Sequence, residues 1–375
     1  MHSKQTVCFS ASEATQRPLD DFLKFENAQF RSEQVTQAIN RQFYLAQRPS
    51  GLPTTDDVIL RELPIPEPGV GEIVIRNLYM SLDPAIRGWM SDAPNYIEPI
   101  PVGSCVWATT IGRVVASNSP EFAVGDIALG MNGWEDYSLC AAEAASKIED
   151  TMGLPLTNFL SILGSTGLTA YFGLLDIGKP QAGETLLVSG AAGAVGSLVG
   201  QIAKIIGCRV VGIAGGSQKC SWLLDECGFD EVIDYKTCGD LTAAIAEKCP
   251  DGVDIYWENV GGDMLDSVLL NLAQGARIPF CGWIATYNDA EQRPGPKNLW
   301  QLLAKSARME GFLVLNYIPR FPEGIAAMAQ WLLEGKLHHR EHVVSGLENA
   351  LDAFHMLFDG RNTGKLIINI GDMDD

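Results

Sequence analysis

A glycine-rich turn between an apolar strand and an apolar helix constrains the fold of this chain more than any other feature. The β-prone run 184–189 leads into Gly190-Ala-Ala-Gly193-Ala-Val-Gly196, a helix is predicted over 195–206, and a second apolar run follows at 209–214. Glycines let the backbone turn sharply, and the free amides at the start of the helix can hold a pyrophosphate. The spacing predicts the first βαβ unit of a dinucleotide-binding domain. A tight packing turn without a ligand is the alternative interpretation.

The end of the second predicted strand distinguishes between the two nicotinamide dinucleotides. An NAD site usually has an acidic residue there, which accepts hydrogen bonds from the ribose 2′-hydroxyl. Here the chain runs through Gly215-Gly216-Ser217-Gln218-Lys219, and the next acidic residue is Asp225. Ser217 and Lys219 can donate to a 2′-phosphate, whereas the alternative role of Lys219 is a solvated charge at the start of the next helix. The sequence therefore predicts NADP(H) as the cofactor.

The net charge of the chain limits its partners. The 375 residues carry a formal net charge of −19, which argues against binding to nucleic acid or to an anionic membrane. No uninterrupted apolar run reaches transmembrane length, and no signal-peptide core is found near the N-terminus. We therefore expect a cytoplasmic protein with no nucleic-acid or membrane partner, in which local positive charge holds the anionic cofactor.

The cysteines and histidines do not form a metal-binding pattern. The nine cysteines are scattered, have no CxxC spacing and are odd in number, which favours free thiols in a reducing compartment. His338, His339 and His342 lie close together in the sequence. A strand predicted around Val343 would place His339 and His342 on opposite faces. We predict no metal site.

The hydrophobic pattern divides the chain into an appended segment and two domains. Residues 1–39 are polar and weakly patterned, and residues 40–160 alternate short β-type runs with turns, which predicts an irregular β-barrel. Over 161–335, apolar strands alternate with helices, which predicts an α/β, Rossmann-type, doubly wound parallel sheet. The tail 336–375 is assigned to the barrel domain because that sheet is already complete. The six predicted strands of the parallel sheet cover 184–189, 209–214, 230–234, 253–258, 276–281 and 310–315.

Five separated motifs resemble those of one enzyme superfamily. They lie at 40–51, 81–88, 190–201, 256–262 and 360–365. Together they are similar to the zinc-free branch of the medium-chain dehydrogenase/reductase superfamily, which contains NADPH-dependent alkenal, prostaglandin and curcumin double-bond reductases. The resemblance extends over about residues 40–375. It implies a GroES-like barrel as the catalytic domain and a homodimeric assembly.

Zinc-dependent alcohol dehydrogenases of the same superfamily have ligands that this chain lacks. They need an early Cys or Asp ligand, a Gly-His-Glu motif and a lobe with four cysteines. This chain has Ser81-Leu-Asp-Pro84 at the first position and no histidine between His2 and His338. Without a Lewis acid, alcohol dehydrogenation loses the usual stabilisation of the alkoxide. Reduction of an electron-poor C=C bond needs no metal, because a hydrogen-bond donor can stabilise the resulting enolate.

The resemblance also implies which residues contact the cofactor. Lys219 and Tyr235 match a Lys and a Tyr that hold the 2′-phosphate, although a half-buried aromatic at a strand end is an equal alternative for Tyr235. Asn259 matches a contact at the end of the fourth strand. The other implied contacts are Gly190, Gly193, Ala194, Val195 and Gly196 in the turn, Ser217 after the second strand, Cys281, Ile284 and Tyr287 in the nicotinamide loop, Phe312 and Val314 on the last strand, and Asn362 near the C-terminus.

Tyr287 is the candidate catalytic residue. Its hydroxyl group can donate a hydrogen bond to a substrate carbonyl and stabilise the developing enolate. The alternative is a loop tyrosine that only packs against the nicotinamide. The family usually places a Tyr after the Asp-Pro of the 81–88 motif, and here that residue is Ala85. Other aromatic side chains are therefore candidates for the pocket wall, although scattered aromatic residues more often belong to a core. They are Trp89, Tyr96, Trp107 and Trp134.

These features predict an oxidoreductase that transfers hydride from NADPH to the C=C bond of a small α,β-unsaturated ketone or aldehyde. A quinone oxidoreductase is the nearest alternative, because it uses the same fold and cofactor on a conjugated acceptor. A catalytically silent NADPH-binding protein is the alternative from another class, since retained binding residues do not prove turnover.

Overall fold

Two large sheets and a two-stranded hairpin contain all the strands in the part of the chain that the structure describes. The computed structural model describes residues 39–289 and 295–371, so almost all of the predicted appended segment, 1–39, lies outside it. The strands are β1 (Ile39–Leu45), β2 (Val58–Pro64), β3 (Glu72–Leu82), β4 (Trp107–Ser117), β5 (Ile127–Gly133), β6 (Tyr137–Ala141), β7 (Ala145–Lys147), β8 (Thr185–Val188), β9 (Arg209–Ala214), β10 (Glu231–Asp234), β11 (Val253–Trp257), β12 (Leu272–Phe280), β13 (Arg308–Gly311), β14 (Glu341–Ser345) and β15 (Lys365–Asn369).

The α-helices mostly alternate with the strands of the second sheet. They are α1 (Ala85–Trp89), α2 (Ser165–Phe172), α3 (Ala194–Ile206), α4 (Ser217–Asp225), α5 (Leu241–Lys248), α6 (Gly262–Leu269), α7 (Trp300–Ala304), α8 (Phe321–Leu333) and α9 (Ala350–Asp359). Shorter 3₁₀ segments include Ile284–Thr286 and Val314–Arg320. None of the helices in the described ranges is long and apolar enough to span a bilayer.

The six strands β8 to β13 form the predicted doubly wound parallel sheet. Their order is β10-β9-β8-β11-β12-β13, and every neighbouring pair is parallel. The chain reverses its direction of winding between β8 and β11. The carboxyl ends of these two strands therefore border the crevice in which such sheets bind ligands.

The second sheet has seven strands and is mostly antiparallel. Its order is β14-β15-β3-β4-β5-β7, with β6 paired to β3, and β1 and β2 form a separate hairpin. The two strands β14 and β15 come from the C-terminal tail, and β15 pairs antiparallel with β3. The tail therefore contributes to the sheet built mainly from the N-terminal half. The domain boundaries at 160/161 and 335/336 stay a prediction.

The predicted strand 310–315 is wrong in its second half. The last parallel strand, β13, ends at Gly311, and a 3₁₀ helix begins at Val314. The apolar residues after Gly311 serve side-chain packing and do not extend the strand. Phe312 packs edge-to-face against Trp257, with 5.7 Å between ring centroids, and its ring occupies the space beside Gly173. Phe312 and Val314 therefore do not lie on the last strand, as the sequence analysis had placed them.

The turn between β8 and α3 depends on glycine for close packing. Gly190 has a φ of 58°, which favours glycine. A Cβ at Gly196 would lie 2.5 Å from Gly190 O and 2.9 Å from Ala191 Cα, both of them backbone atoms. The first turn of α3 can therefore pack directly on the end of β8 only with glycine at this position.

Candidate active site

The glycine-rich turn leaves the start of α3 open for an anion. Gly193 is the N-cap residue of the helix, and no side chain caps it. The amides of Ala194, Val195 and Gly196 belong to the first helical turn, where an α-helix leaves its backbone donors without intrahelical partners. Helix N-termini of this kind bind phosphate groups, because the amides and the helix dipole both favour negative charge. The geometry fits the pyrophosphate site that the sequence predicts.

Asn259 lies against this turn and is held there by hydrogen bonds. Its Nδ2 donates to Ser189 O at 2.7 Å and its backbone amide donates to Ser189 Oγ at 2.9 Å. Trp257 Nε1 donates to Asn259 Oδ1 at 3.0 Å. A Cβ at Gly190 would be 3.6 Å from Asn259 Cβ. The structure therefore brings Asn259 next to the glycine-rich turn.

Glu258 is a buried residue of the site whose role the sequence analysis did not assign. Its Oε1 accepts hydrogen bonds from the amides of Val260 and Gly261 at 2.6 and 2.9 Å, and from the hydroxyl groups of Ser189 and Tyr256. Among the described residues, Oε2 has no hydrogen-bond partner. Burial raises the pKa of Glu258, because desolvation disfavours the ionised carboxylate, and the hydrogen bonds to Oε1 offset only part of this effect.

A cavity of about 260 Å³ opens after β9, where the sequence predicts the 2′-phosphate site. Lys219 Nζ donates to Gly360 O at 2.8 Å, and burial lowers the pKa of Lys219. The Tyr235 ring lies directly against Gly215. A Cβ atom at Gly215 would be only 2.8 Å from that ring. The residues that line the cavity are Gly215, Gly216, Ser217, Gln218, Lys219, Gly360, Arg361 and Thr363.

Two of these lining residues, Arg361 and Thr363, were not assigned to the cofactor site from the sequence. They are about 140 positions away from Lys219 along the chain, and no local pattern relates the two segments. The only available signal was the 360–365 motif, in which a cation precedes the predicted contact Asn362. In the structure, Asn362 Nδ2 donates to Gly364 O at 3.2 Å, and the Gly364 amide donates to Ala192 O at 3.0 Å. The C-terminal segment therefore touches the glycine-rich turn directly.

The predicted nicotinamide loop is fastened to the end of β11. The amide of Cys281 donates to Glu258 O at 3.0 Å, and the amide of Ile284 donates to Asn259 O at 3.2 Å. Burial raises the pKa of the Cys281 thiol to about 12, so the thiol is neutral at physiological pH. The structure therefore brings Cys281 and Ile284 together with Asn259, as the resemblance implies.

The hydroxyl group of Tyr287 is oriented by its own loop. It accepts a hydrogen bond from the amide of Trp283 at 3.1 Å, and burial raises the pKa of Tyr287. A phenol has one proton to donate and oxygen lone pairs that accept. Because the Trp283 amide occupies an acceptor position, the phenolic proton is available for a substrate oxygen.

Phe312 and Val314 both follow β13, and their side chains have different environments. Phe312 packs on Trp257, whose indole nitrogen donates to Asn259. It therefore lies one side chain away from the predicted cofactor contact at the end of β11. Val314 begins the 3₁₀ helix and packs against the main hydrophobic core.

The four aromatic residues considered for the substrate pocket have different environments. Trp134 is fully buried and packs against Phe43 and Phe354, so of the two roles considered for it, pocket wall or core, it has the second. Trp107 lines a separate cavity between β4 and β5. Trp89 is buried, and its Nε1 donates to Tyr96 Oη at 3.1 Å. Tyr96 remains 46% exposed and can face a ligand.

The position of the first zinc ligand in related enzymes holds an ion pair instead. Ser81 Oγ and Lys365 Nζ both bind the carboxylate of Asp83, and the Lys365 side chain is 3% exposed. Over the described ranges, no group of three or more His, Cys, Asp or Glu side chains could hold a metal. His339 lies before β14, which begins at Glu341, so the predicted placement of His339 on that strand is wrong. Its Nε2 lies 3.1 Å from Asn158 Oδ1 instead.

Comparison with known proteins identifies relatives over most of the chain. Residues 41–148 match the family model for the N-terminal domain of oxidoreductase, and residues 194–331 match the zinc-binding dehydrogenase model. The NADPH-dependent curcumin reductase of Escherichia coli is 44% identical over 340 residues, which cover 89% of this chain and 98% of that protein. The NADP(+)-dependent 2-alkenal reductase of Nicotiana tabacum is 42% identical over 337 residues, which cover 88% and 97%.

The fold also matches a solved structure that contains the cofactor. CurA from Vibrio vulnificus, crystallised in complex with NADPH, is 45% identical, and the two chains superpose with a TM-score of 0.84 over 88% of this chain and 99% of that one. The relatives confirm the family that the motifs predicted. The chain belongs to the medium-chain dehydrogenase/reductase superfamily, in the branch that contains NADP-dependent alkenal, curcumin and prostaglandin reductases.

Proposed function

We propose that this protein uses NADPH to reduce the C=C bond of α,β-unsaturated ketones or aldehydes without a metal. The orientation of Tyr287 is the observation that carries the proposal. Its hydroxyl group accepts a hydrogen bond from the Trp283 amide, which leaves the proton free for a substrate carbonyl. The loop is tied to the end of β11, beside the glycine-rich turn. The activities named for the curcumin and 2-alkenal reductases support the same reaction.

The residues of the chain fit NADPH at both of its phosphate positions. The glycine-rich turn offers uncapped helix amides to the pyrophosphate, and Gly196 allows the close approach of α3 to β8. The cavity after β9 offers Lys219 and Ser217 to the 2′-phosphate. Asp234 does not oppose this assignment, because its Oδ1 accepts from the Gly216 amide at 2.9 Å and closes the turn.

When bound, NADPH supplies the hydride that is added to the β-carbon of the enone. The contribution of the protein is to position the acceptor and to stabilise the charge on its oxygen. Tyr287 donates a hydrogen bond to that oxygen, which is worth most when the charge has developed into an enolate. The Asp83 carboxylate, in the segment that holds the first zinc ligand in zinc-dependent relatives, is paired with Lys365.

A direct test compares an enone, an enal and a benzoquinone as acceptors for NADPH oxidation by the purified protein. We expect turnover of the enone and the enal, with a product saturated at the C=C bond. Activity should persist after treatment with a chelator, because no proposed step uses a metal. Turnover of the quinone alone would favour a quinone oxidoreductase, and no turnover of any acceptor despite NADPH binding would favour a silent binding protein.

Tyr287→Phe tests the catalytic assignment. The variant keeps the ring and removes only the donor, so NADPH affinity should remain close to wild type while kcat for an enone falls. Loss of one oxyanion-type donor costs up to about 2.7–4 kcal/mol. We expect a smaller loss, because the cofactor's ribose hydroxyl can share the role. Tyr137→Phe is the matched control, since Tyr137 lies on β6 in the antiparallel sheet and its ring packs under Arg76. Normal turnover by Tyr287→Phe would leave only a packing role for this residue.

Lys219→Ala tests the choice of cofactor. Removing one charge-assisted phosphate contact is worth about 1.5–3 kcal/mol, or roughly a ten- to hundredfold weakening. We expect the KM for NADPH to rise by this amount and the KM for NADH to stay nearly unchanged. Lys204→Ala is a suitable control. Lys204 lies in the last turn of α3, far along the helix from the glycine-rich turn, and pairs with Asp230. Equal effects on both cofactors would contradict the assignment of the 2′-phosphate site.

We also propose that the protein is a homodimer joined at the free edge of the parallel sheet. The strand β13 ends the sheet on one side. Exposed apolar side chains precede and follow it along the chain, and exposed apolar surface at a sheet edge favours association. They are Leu299, Trp300, Leu303, Leu315 and Ile318. A cytoplasmic location stays a prediction from the sequence.

Sedimentation of a variant at this edge tests the dimer. Trp300 is 69% exposed and Leu303 is 67% exposed, so replacing both with Glu should not unfold the monomer. We expect the wild-type protein to sediment as a dimer and the Trp300→Glu/Leu303→Glu variant as a monomer. Val124→Glu, at a 67% exposed position in the turn between β4 and β5, should remain dimeric. A monomeric wild-type protein would contradict the proposal.

A further inference from the structure

The C-terminal segment 359–365 forms one wall of the cofactor site from end to end. At one end, Gly360 O accepts the hydrogen bond from Lys219 Nζ. At the other end, the Gly364 amide donates to Ala192 O in the glycine-rich turn, and Gly364 forms a parallel bridge with Gly193. Residues between these two anchors therefore have fixed positions relative to both proposed phosphate sites.

Arg361 is the charged residue of this segment that lines the cavity after β9. Arg361 and Thr363 line the cavity together with Ser217 and Lys219, which come from the segment after β9. The Nε atom of Arg361 donates a hydrogen bond to Asp359 Oδ2 at 2.6 Å. Its two terminal amino groups are the donors that suit two oxygens of one phosphate.

The charges around the cavity favour an anion. Lys219 and Arg361 line it, and Lys236 is close enough to lower the pKa of Lys219 further. Two carboxylates are nearby, and both are engaged. Asp234 accepts from the amides of Gly216 and Lys236, and Asp359 accepts from Arg361. The whole chain carries a net charge of −19, so this cluster of cations differs in sign from the rest of the protein and favours an anionic ligand.

We propose that Arg361 is a second cationic ligand of the NADPH 2′-phosphate and a determinant of cofactor specificity. The inference rests on the proposed use of NADPH and adds a residue from the far end of the chain to its binding site. Lys219 acts as a point charge from one wall, and the Arg361 fork binds phosphate oxygens from the other. Asp359 orients the guanidinium group through its contact with Nε.

A purely structural role for Arg361 makes different predictions. The Asp359 carboxylate accepts from both the Arg361 amide and Nε, so the pair by itself stabilises the turn after α9. If that were its whole role, Asp359→Asn and Arg361→Ala would affect ligand binding alike. If Arg361 binds phosphate, the two substitutions should differ, because Asp359→Asn keeps an oxygen acceptor and removes a negative charge near the anion.

Binding of two nucleotides to the full-length protein separates these roles without measuring turnover. Calorimetric titration with 2′,5′-ADP and with 5′-AMP reports the contribution of the 2′-phosphate alone. We expect Arg361→Ala to weaken 2′,5′-ADP binding roughly tenfold, the effect of one charge-assisted contact at an accessible site, and to leave 5′-AMP binding unchanged. Asp359→Asn should bind 2′,5′-ADP at least as tightly as wild type.

Two further variants complete the test. Arg361→Lys should retain part of the 2′,5′-ADP preference because the charge remains, and it replaces Arg361→Ala if that variant does not fold. Arg320→Ala removes another exposed, carboxylate-paired arginine and should change neither affinity. The proposal is overturned if Arg361→Ala leaves 2′,5′-ADP binding intact, if it weakens both ligands equally, or if Asp359→Asn loses as much affinity.

Failure of the proposed reaction has a separate signature. A protein that binds 2′,5′-ADP more tightly than 5′-AMP through Arg361 but reduces no enone would retain this inference and lose the proposed activity. A wild-type protein with no preference for 2′,5′-ADP would overturn both the NADPH assignment and the role of Arg361.

Discussion

Hydrogen bonds to Glu258 hold together three parts of the site, which are the end of β8, the turn after β11 and the start of the Tyr287 loop. The Glu258 carboxyl group accepts hydrogen bonds from two backbone amides of the turn after β11 and from Ser189 at the end of β8. Its own backbone oxygen accepts from the Cys281 amide, where the Tyr287 loop begins. If these hydrogen bonds were broken, buried polar groups would remain without partners, which would lower the free energy of unfolding. The ends of β8 and β11 and the Tyr287 loop are therefore held in one arrangement.

The C-terminal tail connects the two sheets at the place where the cofactor is proposed to bind. Lys365 begins β15 in the antiparallel sheet and holds Asp83 after β3, while the preceding Gly364 contacts the glycine-rich turn of the parallel sheet. The same tail reaches Lys219 through Gly360. The same few residues therefore join the two sheets and line the proposed cofactor site.

Sequence reasoning identified the residues whose role depends on local structure. Lys219 and the glycine-rich turn follow directly from the alternation of strand, turn and helix, and both lie where the pattern placed them. Its placement of Phe312 on the last strand is wrong, and it left Trp134 open between pocket wall and core, because an apolar run and a buried aromatic look the same along the chain whether they extend a strand, line a pocket or fill a core. Phe312 packs on Trp257 beyond the end of β13, and Trp134 packs between Phe43 and Phe354.

The sequence by itself determined the order of the strands and helices, the family, and the turn between β8 and α3, since these depend on interactions between residues close in the chain and on the conformational freedom of glycine. Only the tertiary structure decided that Arg361 faces Lys219 and that the Trp283 amide occupies an acceptor position of Tyr287. The first arrangement brings together two segments that are about 140 residues apart in the chain. The second depends on how one short loop folds back on itself. Neither leaves a periodic pattern in the chain, because both arise from how packed elements meet in space.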